Sequence, residues 1–228
     1  VAAVNADGTG AYTSGQSATP FGAVTQFKVT MSGGTTALSA ADKTAGDAFA
    51  VRVTAQDDDG LTNTDYTGDV SLTSNSFSGT VTASIASGGL VDSISVTPTV
   101  AGASRTISAS AGSVTSANAS GNFTVTPAEA AAVGVTTEPV GGAPGGVLAT
   151  QPVVAVIDDY GNTVAGSSAS VVASIASGSN GTLGGTTTVT ASSGVATFTD
   201  LTLDGDQGET YTLSFASGDL TSATSASL

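Results

Sequence analysis

Apolar and polar residues alternate along most of this chain, with a period of two. Phe27, Val29 and Met31 alternate with Lys28 and Thr30. Phe49, Val51, Val53 and Ala55 alternate with Arg52 and Thr54, and Ile94 and Val96 with Ser93 and Ser95. Val154 and Val156 lead into an Asp158-Asp159-Tyr160-Gly161-Asn162 turn. Val195 alternates with Ala196 and Thr197, with Phe198 out of strict parity, and Tyr211, Leu213 and Phe215 share one face. Successive side chains of a strand point to opposite faces, so this pattern predicts half-buried strands. Turn residues recur roughly every 8–12 positions, the spacing of an all-β sandwich. A helix is credible only near residues 128–132, where a strand fits equally well.

The pattern occurs twice. The stretch from Ala50 to the Asp57-Asp58-Asp59-Gly60 turn parallels that from Gln151 to Asp158-Asp159-Tyr160-Gly161, and the match continues so that Val70 falls on Val171 and Leu72 on Ala173. Gly112-Ser113-Val114-Thr115-Ser116-Ala117 parallels Gly218-Asp219-Leu220-Thr221-Ser222-Ala223, after a longer loop in the second copy. Repetition in the same order points to two homologous domains, 23–127 and 128–228, with Pro127 at the join and residues 1–22 ahead of them. Each copy is expected to yield about seven strands.

Composition narrows the chemistry. The chain has 228 residues, with 18 acidic against 4 basic, a net charge of -14, and no His or Cys. Without His or Cys there is no Ser-His-Asp or Cys-His nucleophile, no zinc site of the usual nitrogen and sulfur ligands, and no disulfide. The acidic balance argues against nucleic acid or an anionic membrane as partner. Aromatic residues are 5% and charged residues 10%, which suits thin sandwiches with Val, Ile, Leu and Phe inside and Ser and Thr outside. No apolar run reaches the ~18 residues of a membrane-spanning helix. The opening Val1-Ala2-Ala3-Val4 leads us to expect a processed N-terminus. Elbow, P-loop, S-x-x-K and aspartic-protease motifs are absent, and no Glu sits in an aromatic setting suited to sugar. The expectation is that the chain is not an enzyme.

Several stretches resemble the Ig-like repeat domains of large bacterial and archaeal surface proteins. They are Thr44-Ala45-Gly46-Asp47-Ala48-Phe49, Tyr66-Thr67-Gly68-Asp69-Val70, and Leu148-Ala149-Thr150-Gln151-Pro152-Val153-Val154 followed by the 158–162 turn. Gly181-Thr182-Leu183, Gly194-Val195-Ala196-Thr197-Phe198 and Leu220-Thr221-Ser222-Ala223 fit the same pattern. The resemblance implies two tandem antiparallel Ig-like β-sandwiches and serves stalks, adhesins and filament subunits alike. The first copy departs from it at Asp59-Gly60-Leu61, where the repeats have Gly-Asn.

The two copies end differently. The first runs on to Phe123 and Val125, whereas the second stops at Ser227-Leu228, so its last strand is expected to be short and to leave an unpaired edge at Leu220, Ala223 and Leu228. Residues 1–22 match nothing in the second copy and span up to ~75 Å when extended. Val1, Ala2, Val4 and Tyr12 are then candidates for a donated strand that completes the next subunit. A contact of this kind that does not close makes a filament of copies of the chain. A loose N-terminal tail and a frayed last strand remain the alternative.

Two further sets of residues are candidates. Asp57, Asp58, Asp59, Asp158, Asp159, Asp204, Asp206 and Glu209 gather oxygens that would suit calcium, or equally serve as solvated turns. Asn118, Asn122 and Asn180 open glycosylation sequons, no more than chance provides. All basic residues (Lys28, Lys43, Arg52, Arg105) lie in the first copy, so the second holds no Lys for an isopeptide link. The expected function is a subunit of an extracellular filament or surface layer. The alternative is an adhesin or stalk module at the cell surface.

Overall fold

Alternation builds the strands, and glycines with neighbouring polar residues turn them. The structure, a computed structural model, describes residues 22–116 and 120–228. The first half forms β1 (Gln26–Met31), β2 (Lys43–Thr44), β3 (Phe49–Gln56), β4 (Gly68–Ser74), β5 (Val81–Ile85), β6 (Leu90–Val96), β7 (Gly102–Arg105), β8 (Ile107–Ala111), β9 (Val114–Ser116) and β10 (Phe123–Thr126). The second forms β11 (Ala132–Thr137), β12 (Val153–Ile157), β13 (Ser170–Ser177), β14 (Thr182–Gly184), β15 (Thr188–Thr190), β16 (Val195–Thr197), β17 (Thr202–Asp204), β18 (Thr212–Ala216) and β19 (Ala223–Thr224). Among the described residues the one helical element is a short 3-10 turn at Leu38–Ala40.

In each half two sheets face each other. The first pairs β1-β3-β6 against β5-β4-β8-β9, and the second pairs β11-β12-β16 against β15-β13-β18-β19. The strand order is the same in both, and it is the Ig-like arrangement that the resemblance implies. Smaller sheets, β2-β10-β7 in the first half and β14-β17 in the second, complete the lower ends. Among the described residues the strands pair antiparallel except β10 with β2, and a single parallel bridge joins Ala132 to Thr221. The halves hold ten and nine strands among these residues rather than about seven, in part because a strand breaks after β6 and after β16, leaving β7 and β17 as separate pieces.

Inward positions meet in two separate cores. Phe27, Val29, Val51, Val53, Val70, Leu72, Ile107 and Phe123 are buried in the first, and Val154, Val156, Val171, Leu201, Leu213 and Phe215 in the second. Each such side chain stabilises the fold by about 1.5–3 kcal/mol relative to exposure. Aromatic pairs lock the layers: Phe49 and Phe123 stand edge to face at 6.1 Å, and Phe198 and Phe215 are tilted at 5.6 Å. One parity expectation is corrected. Ala196 and Phe198 are the inward residues, so alternation is kept through Phe198, and Val195 is only partly covered.

Tyr211, at the start of β18, makes the corner bond typical of Ig sandwiches. Its hydroxyl donates to the Ser179 carbonyl (2.6 Å) and accepts from the Asp206 N–H (3.0 Å). A β-carbon on Gly181 would come within 3.0 Å of its Cδ1, so a larger residue there would push the ring aside. The equivalent place before β8 holds Arg105, whose guanidinium donates to the Ala101 and Asn75 carbonyls. A buried serine repeats as well. Ser120 Oγ accepts the Ile107 N–H and Ser225 Oγ the Leu213 N–H, each at 2.9 Å.

That serine re-registers the last strand. Phe123 pairs with Arg105, and Leu228 exchanges backbone bonds with Tyr211 (2.8 and 3.3 Å). Leu228 therefore stands where Phe123 does, so the second copy's last strand reaches one inward position further than the repeat match alone places it. The cause is one residue fewer between hairpin and serine in the second copy.

Candidate functional site

The edge expected to accept a strand is already filled by the chain itself. Leu220, Ala223 and Leu228 pack against the second core. Their strand bonds β18 on one side. On the other, Val133 N–H donates to Thr221 O and Thr221 N–H to Ala131 O, both at 2.9 Å. The lower end is closed too. In the first sandwich β10 lies between β2 and β7. In the second, residues 145–148 pair with the β17 region directly, through Gly145 N–H to Leu203 O (3.1 Å) and Leu148 N–H to Leu201 O (2.9 Å). The strand expected to be an open edge is thus paired on both sides at Thr221, and a Gly-rich segment with no strand-like alternation pairs with the β17 region. Val1, Ala2, Val4 and Tyr12 lie outside the described residues, as does Asn118.

The acidic turns are built from their own backbone. Asp57 is buried and its Oδ1 accepts the Leu61 N–H (2.9 Å), while Oδ2 faces the Gly22 N–H (3.4 Å). Asp158 is buried too, and Oδ1 accepts from the Tyr160 and Asn162 N–H groups (2.9 and 2.8 Å). Its Oδ2 accepts from the Ala128 N–H and the Asn162 amide, each at 2.9 Å. Burial alone would raise the Asp158 carboxyl. The donations from the Asn162 amide and the three backbone N–H groups outweigh it and hold the carboxyl below its usual range. Asp58, Asp59, Asp159, Asp204, Asp206 and Glu209 are exposed, and Asp206 accepts from the Asn180 amide (2.8 Å). Among the described residues no three acids converge as a metal ion would require. Asn122 and Asn180 are both exposed.

The densest polar constellation lies where the sandwiches meet. The 57–61 and 158–162 turns are the same structure: Leu61 O and Asn162 O accept from the Asp57 and Asp158 N–H groups at 3.1 and 3.0 Å. Only the second reaches another sandwich. Asn162 Nδ2 donates to Thr99 O and its Oδ1 accepts the Ala101 N–H, both at 2.8 Å. Tyr160 lies against Gly46, where a β-carbon would come within 2.8 Å of the ring carbon Cζ. Gly46 has a φ of +88°, a conformation glycine adopts without strain. Beside Asn162 opens a cleft of about 420 Å³, walled by Gly102, Val125, Pro127 and Thr163 among others. The departure of the first copy at Asp59-Gly60-Leu61 falls at the equivalent of this turn. The role of Asn162 is not legible in the sequence, because its partners Thr99 and Ala101 act through their backbone and carry no side-chain signal.

No family model matches the chain, and no curated protein matches it in sequence. Solved structures do. A β-glycosidase from Bacteroides vulgatus is 15% identical over 89% of this chain and 24% of its own, at a TM-score of 0.37. The adhesin InvE of Yersinia pseudotuberculosis is 16% identical over 82% of this chain and 55% of its own, at 0.34. A β-glucuronidase from Parabacteroides merdae is 15% identical over 89% and 24%, at 0.33. The chain thus spans about a quarter of the two enzymes and about half of the adhesin. Identity and superposition this low assign neither family nor activity. The expectation that the chain is not an enzyme is corrected, since glycosidases are among the matched structures and likenesses this low neither assign nor exclude an activity. No helix among the described residues is long and apolar enough to cross a membrane.

Proposed function

We propose that the chain is a stalk segment of a larger extracellular surface protein, composed of two units at 23–127 and 128–228. The observation that carries this reading is the junction. A turn at the upper end of the second sandwich seats on loops at the lower end of the first, through Asn162 and Tyr160. Stacking of this kind sets the sandwiches end to end and holds whatever they carry at a distance. The surface supports the same role. Three of the four basic residues are spent on their own sandwich: Arg52 pairs with Asp92, Arg105 bonds Ala101 and Asn75, and Lys43 bonds Leu38 and Ala41. Strand donation by residues 1–22 into a neighbouring copy would have to displace pairings already made, so the stalk takes precedence over the filament.

The test has two parts. Antibody against the purified chain is expected to label intact source cells, and labelling only after permeabilisation contradicts a surface location. In negative stain the purified chain is expected as separate two-lobed particles, and regular fibres would return the filament to first place.

A further inference from the structure

Comparison of the two equivalent turns shows what the junction residues do. The turns at 57–61 and 158–162 share their backbone bonds, and Asp57 and Asp158 play the same part in each. What differs is the side chains they present. The first copy presents Asp59 and Leu61, and Leu61 is 48% exposed among the described residues. The second presents Tyr160 and Asn162 at the same places, and both touch the first sandwich. The turn itself therefore does not require Asn at residue 162, since Leu61 builds it equally well. Asn at that position is explained by the partners across the junction.

Those partners fit an amide. The Thr99 carbonyl needs a donor and the Ala101 N–H needs an acceptor, and one planar amide offers both. The remaining Nδ2 hydrogen points to the Asp158 carboxylate, which fixes which way the amide lies. The connecting chain is pinned on both sides of the junction. Thr126 O accepts the Ala45 N–H (2.9 Å), and Ala128 N–H donates to Asp158. Between these anchors stands only Pro127, whose ring fixes its φ.

We infer that Asn162 and Tyr160 form an interdomain lock that holds the two sandwiches at one angle, so that they tumble as a single body. Asp158 is a positioning residue of the lock, orienting the amide and tying down the linker. The lock stands whether or not the chain serves as a stalk.

The experiment is ¹⁵N relaxation on the full chain, with Asn162→Leu placing the first copy's own residue in the second turn. The native chain is expected to give one rotational correlation time for both sandwiches. Asn162→Leu is expected to give two, each shorter by up to about twofold, with the strand amides of both sandwiches unshifted. A native chain with two independent times overturns the lock, and so does a folded Asn162→Leu chain that still tumbles as one. Should that variant fail to fold, Tyr160→Ala decides by the same reading, since Tyr160 is 47% exposed and belongs to neither core.

Discussion

At the scale of single residues, hydrogen-bond bookkeeping explains more than charge. An acidic run suggests cation binding when read as a list of carboxylates. In the fold the two equivalent buried acids, Asp57 and Asp158, satisfy backbone N–H groups of their own turns, and the remaining acids of the clusters face solvent. Asp158→Ala would leave the Ala128, Tyr160 and Asn162 N–H groups without their acceptor. The expected loss is about 2 kcal/mol or more, read from the urea midpoint of the second sandwich. The pH dependence has a definite sign. The folded carboxyl titrates below its ordinary value, so its contribution is complete above the unfolded pKa and disappears as pH falls through the folded one. The gap between native chain and Asp158→Ala is therefore constant from pH 6 to 8 and narrows below about pH 4. A gap that widened in acid would contradict the assignment. The turns themselves were legible in the sequence, because Asp and Gly at these spacings favour them. The Asn162 contacts were not, because they run to main-chain atoms of the other sandwich.

At the scale of elements, hydrophobic alternation located several strands, and β3, β6 and β18 bury residues it pointed inward. It failed where packing is set by something other than apolar side chains. Residues 145–148 lie in a Gly- and Pro-rich stretch, yet they pair with the β17 region and close the second sandwich. The Arg105 and Tyr211 corners escaped notice because different side chains reach backbone carbonyls at the same place. The last strand reads as truncated by alignment, although Ser225 and Leu228 bond Leu213 and Tyr211. Deleting residues 225–228 is accordingly expected to cost the second sandwich about 2–4 kcal/mol, from one buried side-chain bond, the backbone pairs and the apolar contact of Leu228. Differential scanning calorimetry checks this. A deletion that melts like the intact chain would mean that these residues are a loose tail.

At the scale of the whole molecule, the two sandwiches meet through the turn that carries Tyr160 and Asn162. Their strands leave the expected acceptor edge paired, and the surfaces at either end are alike in charge. Asp58 and Asp59 are exposed on the upper turn of the first sandwich, and Asp204, Asp206 and Glu209 near the lower end of the second. Copies approaching head to tail bring these acids together, which opposes association at low salt. A stalk requires that each sandwich be closed by strands of its own chain. Sedimentation velocity of the full chain across a wide concentration range tests that most directly. A single species near 21.6 kDa at every concentration is the predicted result, and a series of growing head-to-tail oligomers would contradict it.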